Sequence, residues 1–154
     1  MALLKARGLT FAAAESCTGG DIARRFTELP GASAYFKGGV VSYTNEVKSA
    51  LLGVDPALIE EKTAVSSEVA GAMAEGLRER LGTDMAVSVT GLAGPDGDGV
   101  HEVGTVFIAL AVEGQTFVKE THMGAFRTRS FIRRMAGNHA FDMMRRWLSG
   151  LPVV

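Results

Sequence analysis

Three residues in this sequence, Ser16, Tyr43 and Lys48, have types that combine into a known chemistry. A serine hydroxyl is a poor nucleophile until a neighbouring base removes its proton, and a lysine can be that base when it is neutral. The run Ser42-Tyr43-Thr44-Asn45-Glu46-Val47-Lys48 offers a reason for neutrality. Thr44-Asn45 reads as an N-cap pair; with Asn45 as the cap, Lys48 falls in the first turn, where the macrodipole disfavours an ammonium, and burial would act in the same direction. Tyr43 ends the preceding strand, near enough in sequence to pass a proton or orient the lysine. The plainer readings are a solvated surface lysine and a tyrosine at the edge of the core. No Ser-x-x-Lys or Gly-x-Ser-x-Gly motif joins the pair, so spacing leaves open whether Ser16 and Lys48 meet.

Ser16 lies in Ala14-Glu15-Ser16-Cys17-Thr18-Gly19-Gly20, between a short apolar run and an amphipathic one. Paired glycines allow a sharp turn, and the free N–H groups of a helix start point at whatever occupies it. The N–H groups around Cys17, Thr18, Gly19 and Gly20 therefore suit an anion or the oxyanion of an acyl transfer. A tight turn capped by Ser16 or Thr18 is the simpler alternative. Cys17 is the rival nucleophile, but it has no flanking base, and small buried cysteines are common. Glu15 should point to the opposite face of its strand, into a structural salt bridge or hydrogen bond.

A second glycine-rich stretch, Thr90-Gly91-Leu92-Ala93-Gly94-Pro95-Asp96-Gly97, follows an apolar run. Successive N–H groups there can form an anion nest, with the Thr90 hydroxyl beside it. It lacks the order of a nucleotide P-loop or a dinucleotide fingerprint, and an ordered turn explains it as well. Arg127, Arg129 and Arg133 cluster at the start of the last helix, where a cation is disfavoured and an anionic partner is the better explanation. Arg145 and Arg146 complement the macrodipole at its other end. His101, His122 and His139 show no metal-ligand spacing, so no metal is expected.

The supporting elements follow from periodicity and punctuation. Helices are predicted over Ala2–Arg7, Asp21–Leu29, Glu46–Leu52, Pro56–Glu61, from Ser66-Ser67-Glu68 to Leu81, and over Thr128–Leu148. Strands are predicted over Leu9–Ala14, Phe36–Tyr43, Asp84–Thr90, Val103–Val112 and Thr116–Met123, the last two as an antiparallel pair about Glu113-Gly114. The stretch Gly91–Glu102 reads as a functional loop. Alternating strands and helices followed by a hairpin predict an α/β fold. It is a three-layer α/β/α sandwich on a mixed, mostly parallel sheet of about five strands, one of them antiparallel. Ligands bind beyond the carboxyl ends of such strands, the edge onto which the Ser16 turn and the Gly91 loop should open.

At 154 residues the chain has the size of one domain, predicted over 1–154. With 47% hydrophobic and 21% charged residues and a net charge of -1, nothing in it calls for nucleic acid or a membrane surface. A single cysteine excludes an internal disulfide framework and fits a reducing cytoplasm. Met1 to Arg7 lacks the apolar core expected of a secretory signal, and no stretch of about 18 apolar residues suggests a membrane span.

Beyond these local signals, an ordered set of motifs resembles the CinA C-terminal domain family, which includes nicotinamide-nucleotide amidases. The set comprises Ala-Glu-Ser-Cys-Thr-Gly-Gly at 14–20, Pro-Gly-Ala-Ser-Ala-Tyr-Phe at 30–36 and Gly-Gly-Val-Val-Ser-Tyr-Thr-Asn-Glu-Val-Lys at 38–48. Leu-Gly-Val at 52–54, Thr-Gly-Leu-Ala-Gly-Pro-Asp-Gly at 90–97, Val-Gly-Thr-Val at 103–106 and Arg-x-x-x-Arg at 129–133 continue it. The resemblance implies hydrolysis of the carboxamide of nicotinamide mononucleotide to nicotinic acid mononucleotide and ammonia, with no cofactor. It places the catalytic roles on Ser16, Lys48 and Tyr43. Asn45, Thr90, Gly91, Ala93, Gly94, Arg129 and Arg133 are the expected substrate contacts, and a homo-oligomer, dimer or larger, is expected. His101-Glu102 stands where the family usually has Lys-Pro, and Arg127-Thr128 where it often has Gly-Asp. The rival expectation is a catalytically silent nucleotide-binding domain linked to competence or DNA damage; an amidase for another nucleotide or small amide is the third.

Overall fold

The computed structural model describes residues 1–154 and contains one mixed five-stranded sheet in the order β2-β1-β3-β4-β5. The strands are β1 (Phe11–Glu15), β2 (Phe36–Val41), β3 (Met85–Gly91), β4 (Thr105–Val112) and β5 (Gln115–His122). The helices are α1 (Ala2–Arg7), α2 (Asp21–Thr27), α3 (Asn45–Leu52), α4 (Pro56–Lys62), α5 (Ser67–Leu81) and α6 (Arg129–Leu148). β1 pairs parallel with both β2 and β3, while β4 pairs antiparallel with β3 and with β5. β4 alone runs against the other four, as the three-layer α/β/α reading requires.

Alternation along β1 divides the core between the two faces of the sheet. Phe11 and Ala13 join a cluster with Ile22 and Phe26 of α2 and Ile132, Ala136, Ala140 and Met143 of α6. Ala12 and Ala14 face the other way, onto Leu52 of α3, Ile59 of α4 and Val69, Met73 and Leu77 of α5. Small residues in β1 let helices approach both faces closely. α3 and α5 also touch at a glycine: a Cβ on Gly76 would overlap the Leu52 carbonyl oxygen.

Several boundaries differ from those expected, each for a local reason. β1 starts two residues later than predicted, because the Thr10 N–H and hydroxyl both donate to Asp84, at 2.7 Å each, outside the ladder. β2 ends at Val41, freeing the segment from Ser42 to Thr44 to turn into α3. The cap of α3 is Thr44, not Asn45: the Thr44 side chain accepts from the Val47 N–H. Asn45 is therefore the first helical residue, and the Lys48 N–H is already hydrogen-bonded to the Thr44 carbonyl. This places Lys48 beyond the free N–H groups of the helix start, which weakens the macrodipole argument and leaves burial as the cause that lowers its pKa. No helix is long and apolar enough to cross a membrane.

Candidate active site

Ser16 follows the last residue of β1 and keeps the alternation, so its side chain lies on the α3–α5 face with Ala12 and Ala14. Lys48 reaches the same place from α3. Its Nζ is 3.3 Å from Ser16 Oγ and donates to the Ser42 carbonyl at 3.0 Å. Lys48 is only 2% exposed, and burial holds its pKa below the ordinary lysine value; Cys17 and Glu46 act weakly the other way. No carboxylate forms an ion pair with it, unlike most buried cations. The two residues whose meeting sequence spacing left open are thus in contact, and burial shifts the lysine toward the neutral form that a general base needs.

Glu15 takes the opposite face, as its position in the strand demands. Its buried carboxylate accepts the N–H groups of Gly20, Ile22 and Ala23, at 3.0, 3.1 and 2.9 Å. The helix-start donors expected to face a ligand therefore already have an anion, supplied by the chain itself. The Gly19 N–H is also occupied, by the Ser16 carbonyl at 3.0 Å. Gly19 and Gly20 consequently shape the turn through left-handed backbone, with φ of 58° and 93°, and donate nothing to its cavity side. Of the four expected oxyanion donors, the N–H groups of Cys17 and Thr18 remain without an acceptor. The Cys17 thiol is buried, and burial raises its pKa to about 11, so it is no competing nucleophile.

The far wall comes from α6 and the loop after β3. Arg133 donates through Nε to the Cys17 carbonyl at 3.0 Å and through Nη2 to the Thr18 carbonyl at 2.8 Å. It braces the turn that carries Ser16. Arg129 donates through Nη1 to the Gly94 carbonyl and through Nη2 to the Tyr43 hydroxyl, both at 2.7 Å. Tyr43 is 57% exposed and bonds neither Ser16 nor Lys48, so the expected proton relay has no contact behind it. Arg127 stacks between Phe126 and Phe131, with 4.8 Å to each ring.

These features belong to a known lineage. The CinA C-terminal domain model matches residues 1–148. The chain belongs to the CinA C-terminal domain family. It is 49% identical over 146 residues to a CinA-like protein of Gloeobacter violaceus, covering 94% of this chain and 34% of that protein. A CinA-like protein of Geobacter sulfurreducens is 50% identical over 147 residues, covering 95% of this chain and 35% of the relative. The CinA domain thus spans about a third of the length of these relatives. Among solved structures, a competence/damage-inducible protein of Agrobacterium tumefaciens superposes with a TM-score of 0.89 at 37% identity, covering 95% of this chain and 88% of that one. A competence-damaged (CinA) superfamily protein of Escherichia coli does so at 0.89 and 30%, covering 94% and 83%.

Not every expected substrate contact of the CinA domain lies free at the site. Asn45, first in α3, lines a shallow depression with Glu46, Ser49, Pro56, Ile59 and Glu60. The Thr90 hydroxyl donates to the Ala64 carbonyl at 2.7 Å, holding the segment before α5. Gly91 still belongs to β3, where a Cβ would stand 2.6 Å from the Thr105 carbonyl oxygen, so close strand pairing explains this glycine. Ala93 is buried in the core. Gly94 contributes its carbonyl, which accepts from Arg129. Sequence reasoning missed Ser42. It sits one residue past β2 on the same face as Ser16, and only the sheet register brings it into view.

Proposed function

We propose that this CinA domain is an amidase that hydrolyses the carboxamide of nicotinamide mononucleotide through a serine acyl-enzyme. The observation that carries this reading is the contact of Ser16 Oγ with a buried Lys48 that lacks a carboxylate partner. Lys48 Nζ takes the Ser16 proton as Ser16 Oγ bonds to the carbonyl carbon, and the Cys17 and Thr18 N–H groups receive the oxyanion. The C–N bond then breaks, and the departing nitrogen takes the proton from Lys48 and leaves as ammonia. Water, giving a proton to Lys48, attacks the ester; that proton returns to Ser16 Oγ and the acid is released. In this reading Arg129, oriented by its bonds to Gly94 and Tyr43, meets the ribose phosphate. Arg133 serves the turn instead.

Ammonia release from nicotinamide mononucleotide tests the proposal directly. Ser16→Ala and Lys48→Ala should each lose on the order of a thousand-fold or more in rate. Equal rates in all three proteins would overturn it. Calorimetric binding of the nucleotide without turnover would favour the rival, a silent nucleotide-binding domain, and turnover of other amides alone would redirect the substrate.

A further inference from the structure

Two buried side-chain oxygens have no hydrogen-bond partner, Thr18 Oγ1 and Ser42 Oγ, and both belong to segments that wall the Ser16–Lys48 pair. Ser42 is fully buried. Its N–H donates to the Glu15 carbonyl at 2.8 Å, continuing the β1–β2 register by one step, so Ser42 stands directly beside Ser16 on the neighbouring strand. Its side chain follows Val40 onto the α3–α5 face, the face that Ser16 and Lys48 share. Its carbonyl already binds Lys48 Nζ. A buried hydroxyl without a partner costs stability, and alanine in its place would remove that cost.

We infer that Ser42 is a positioning residue whose hydroxyl accepts a hydrogen bond from the Lys48 ammonium once Lys48 has taken the proton of Ser16. A neutral amine turns its lone pair to Ser16 and has two N–H groups, one of them on the Ser42 carbonyl; once the lone pair has taken the Ser16 proton, the second N–H becomes a charged donor that needs an acceptor. No carboxylate is at hand to receive it. The titratable groups acting on Lys48 are Cys17 in the turn and Glu46 on its own helix, while Arg129 and Arg133 of α6 act on Cys17. β1, β2, α4 and α5 add no charge acting on Lys48. Of the two uncommitted hydroxyls, that of Ser42 belongs to the residue whose carbonyl already holds Nζ, so a turn of its side chain brings an acceptor to the ammonium and strengthens the base.

The kinetic arm of the test rests on the amidase reading; the other arm does not. Nitrogen-15 and carbon-13 NMR of lysine-labelled protein, with Lys48 assigned by Lys48→Arg, reads its titration directly. Ser42→Ala should lower the midpoint by about one pH unit, the effect of losing one hydrogen bond to a charged group. The acid limb of kcat/KM should move down with it, and Ser42→Thr, which keeps a hydroxyl, should restore both. Thermal unfolding should show Ser42→Ala to be no less stable than the parent. An unmoved Lys48 midpoint would overturn the inference whatever the activity. A lowered midpoint in a protein that releases no ammonia would uphold it and remove the amidase reading alone.

Discussion

At the scale of single residues, the site depends on a lysine kept where a lysine is unstable. Lys48 is buried without a counter-charge, so folding favours its neutral form and its pKa falls below the unfolded value. Between the folded and unfolded pKa values the unfolded chain binds the extra proton, so stability rises with pH across that window and the penalty is fully present below it. Lys48→Met keeps the length of the side chain and removes the titration. The variant should abolish ammonia release yet be more stable at neutral pH by about 1–3 kcal/mol, with the advantage shrinking as pH approaches the ordinary lysine range. Urea unfolding of both proteins across pH checks this; a constant difference would show that Lys48 does not titrate between the folded and unfolded states. In the same way, activity should rise with pH as Lys48 loses its proton.

At the scale of elements, the Ser16 turn is held from below by Glu15 and from the side by Arg133. Glu15→Gln removes the charge that receives three N–H groups at the start of α2. It should cost about 1–2 kcal/mol in chemical denaturation and lower kcat more than it raises KM, because the turn carrying Ser16 loses its anchor. Wild-type kcat in a destabilised Glu15→Gln would separate the cap from the chemistry. The α3–α5 contact makes a second case, remote from substrate. Gly76→Ala drives a methyl into the Leu52 carbonyl, so α3 must shift and carry Lys48 with it. A loss of about 1–3 kcal/mol together with reduced kcat is expected, measured by urea unfolding and ammonia release; unchanged kcat would mean that α3 yields elsewhere.

At the scale of the whole molecule, one sheet is shared by both helical layers, since β1 contributes alternate residues to the clusters on either face. The layers should therefore unfold together. Fluorescence of Trp147, on α6, and far-UV circular dichroism should give the same urea midpoint; separated midpoints would show that the α6 layer comes away alone. The domain was broadly legible from its sequence because periodicity and punctuation are local. Gly8, Gly53 and Gly82 close their helices in left-handed conformation, and Ser66 and Thr128 cap theirs, at or beside the predicted boundaries. Asn45 misled because it neighbours the actual cap, Thr44. Arg133 misled because an arginine at a helix start suits an external anion and a pair of backbone carbonyls equally well. By itself, the sequence determined which residues alternate, which turns are glycine-dependent and which side chains have the chemistry for acyl transfer, all of which follow from near neighbours in the chain. Only the tertiary structure decided that Ser16 meets Lys48, that Glu15 occupies the helix-start donors and that Ser42 waits beside them. The Glu15 bonds close within one turn of chain, but the meetings of Ser16 with Lys48 and with Ser42 depend on the parallel register of β1 and β2, a relation between strands that no local stretch encodes.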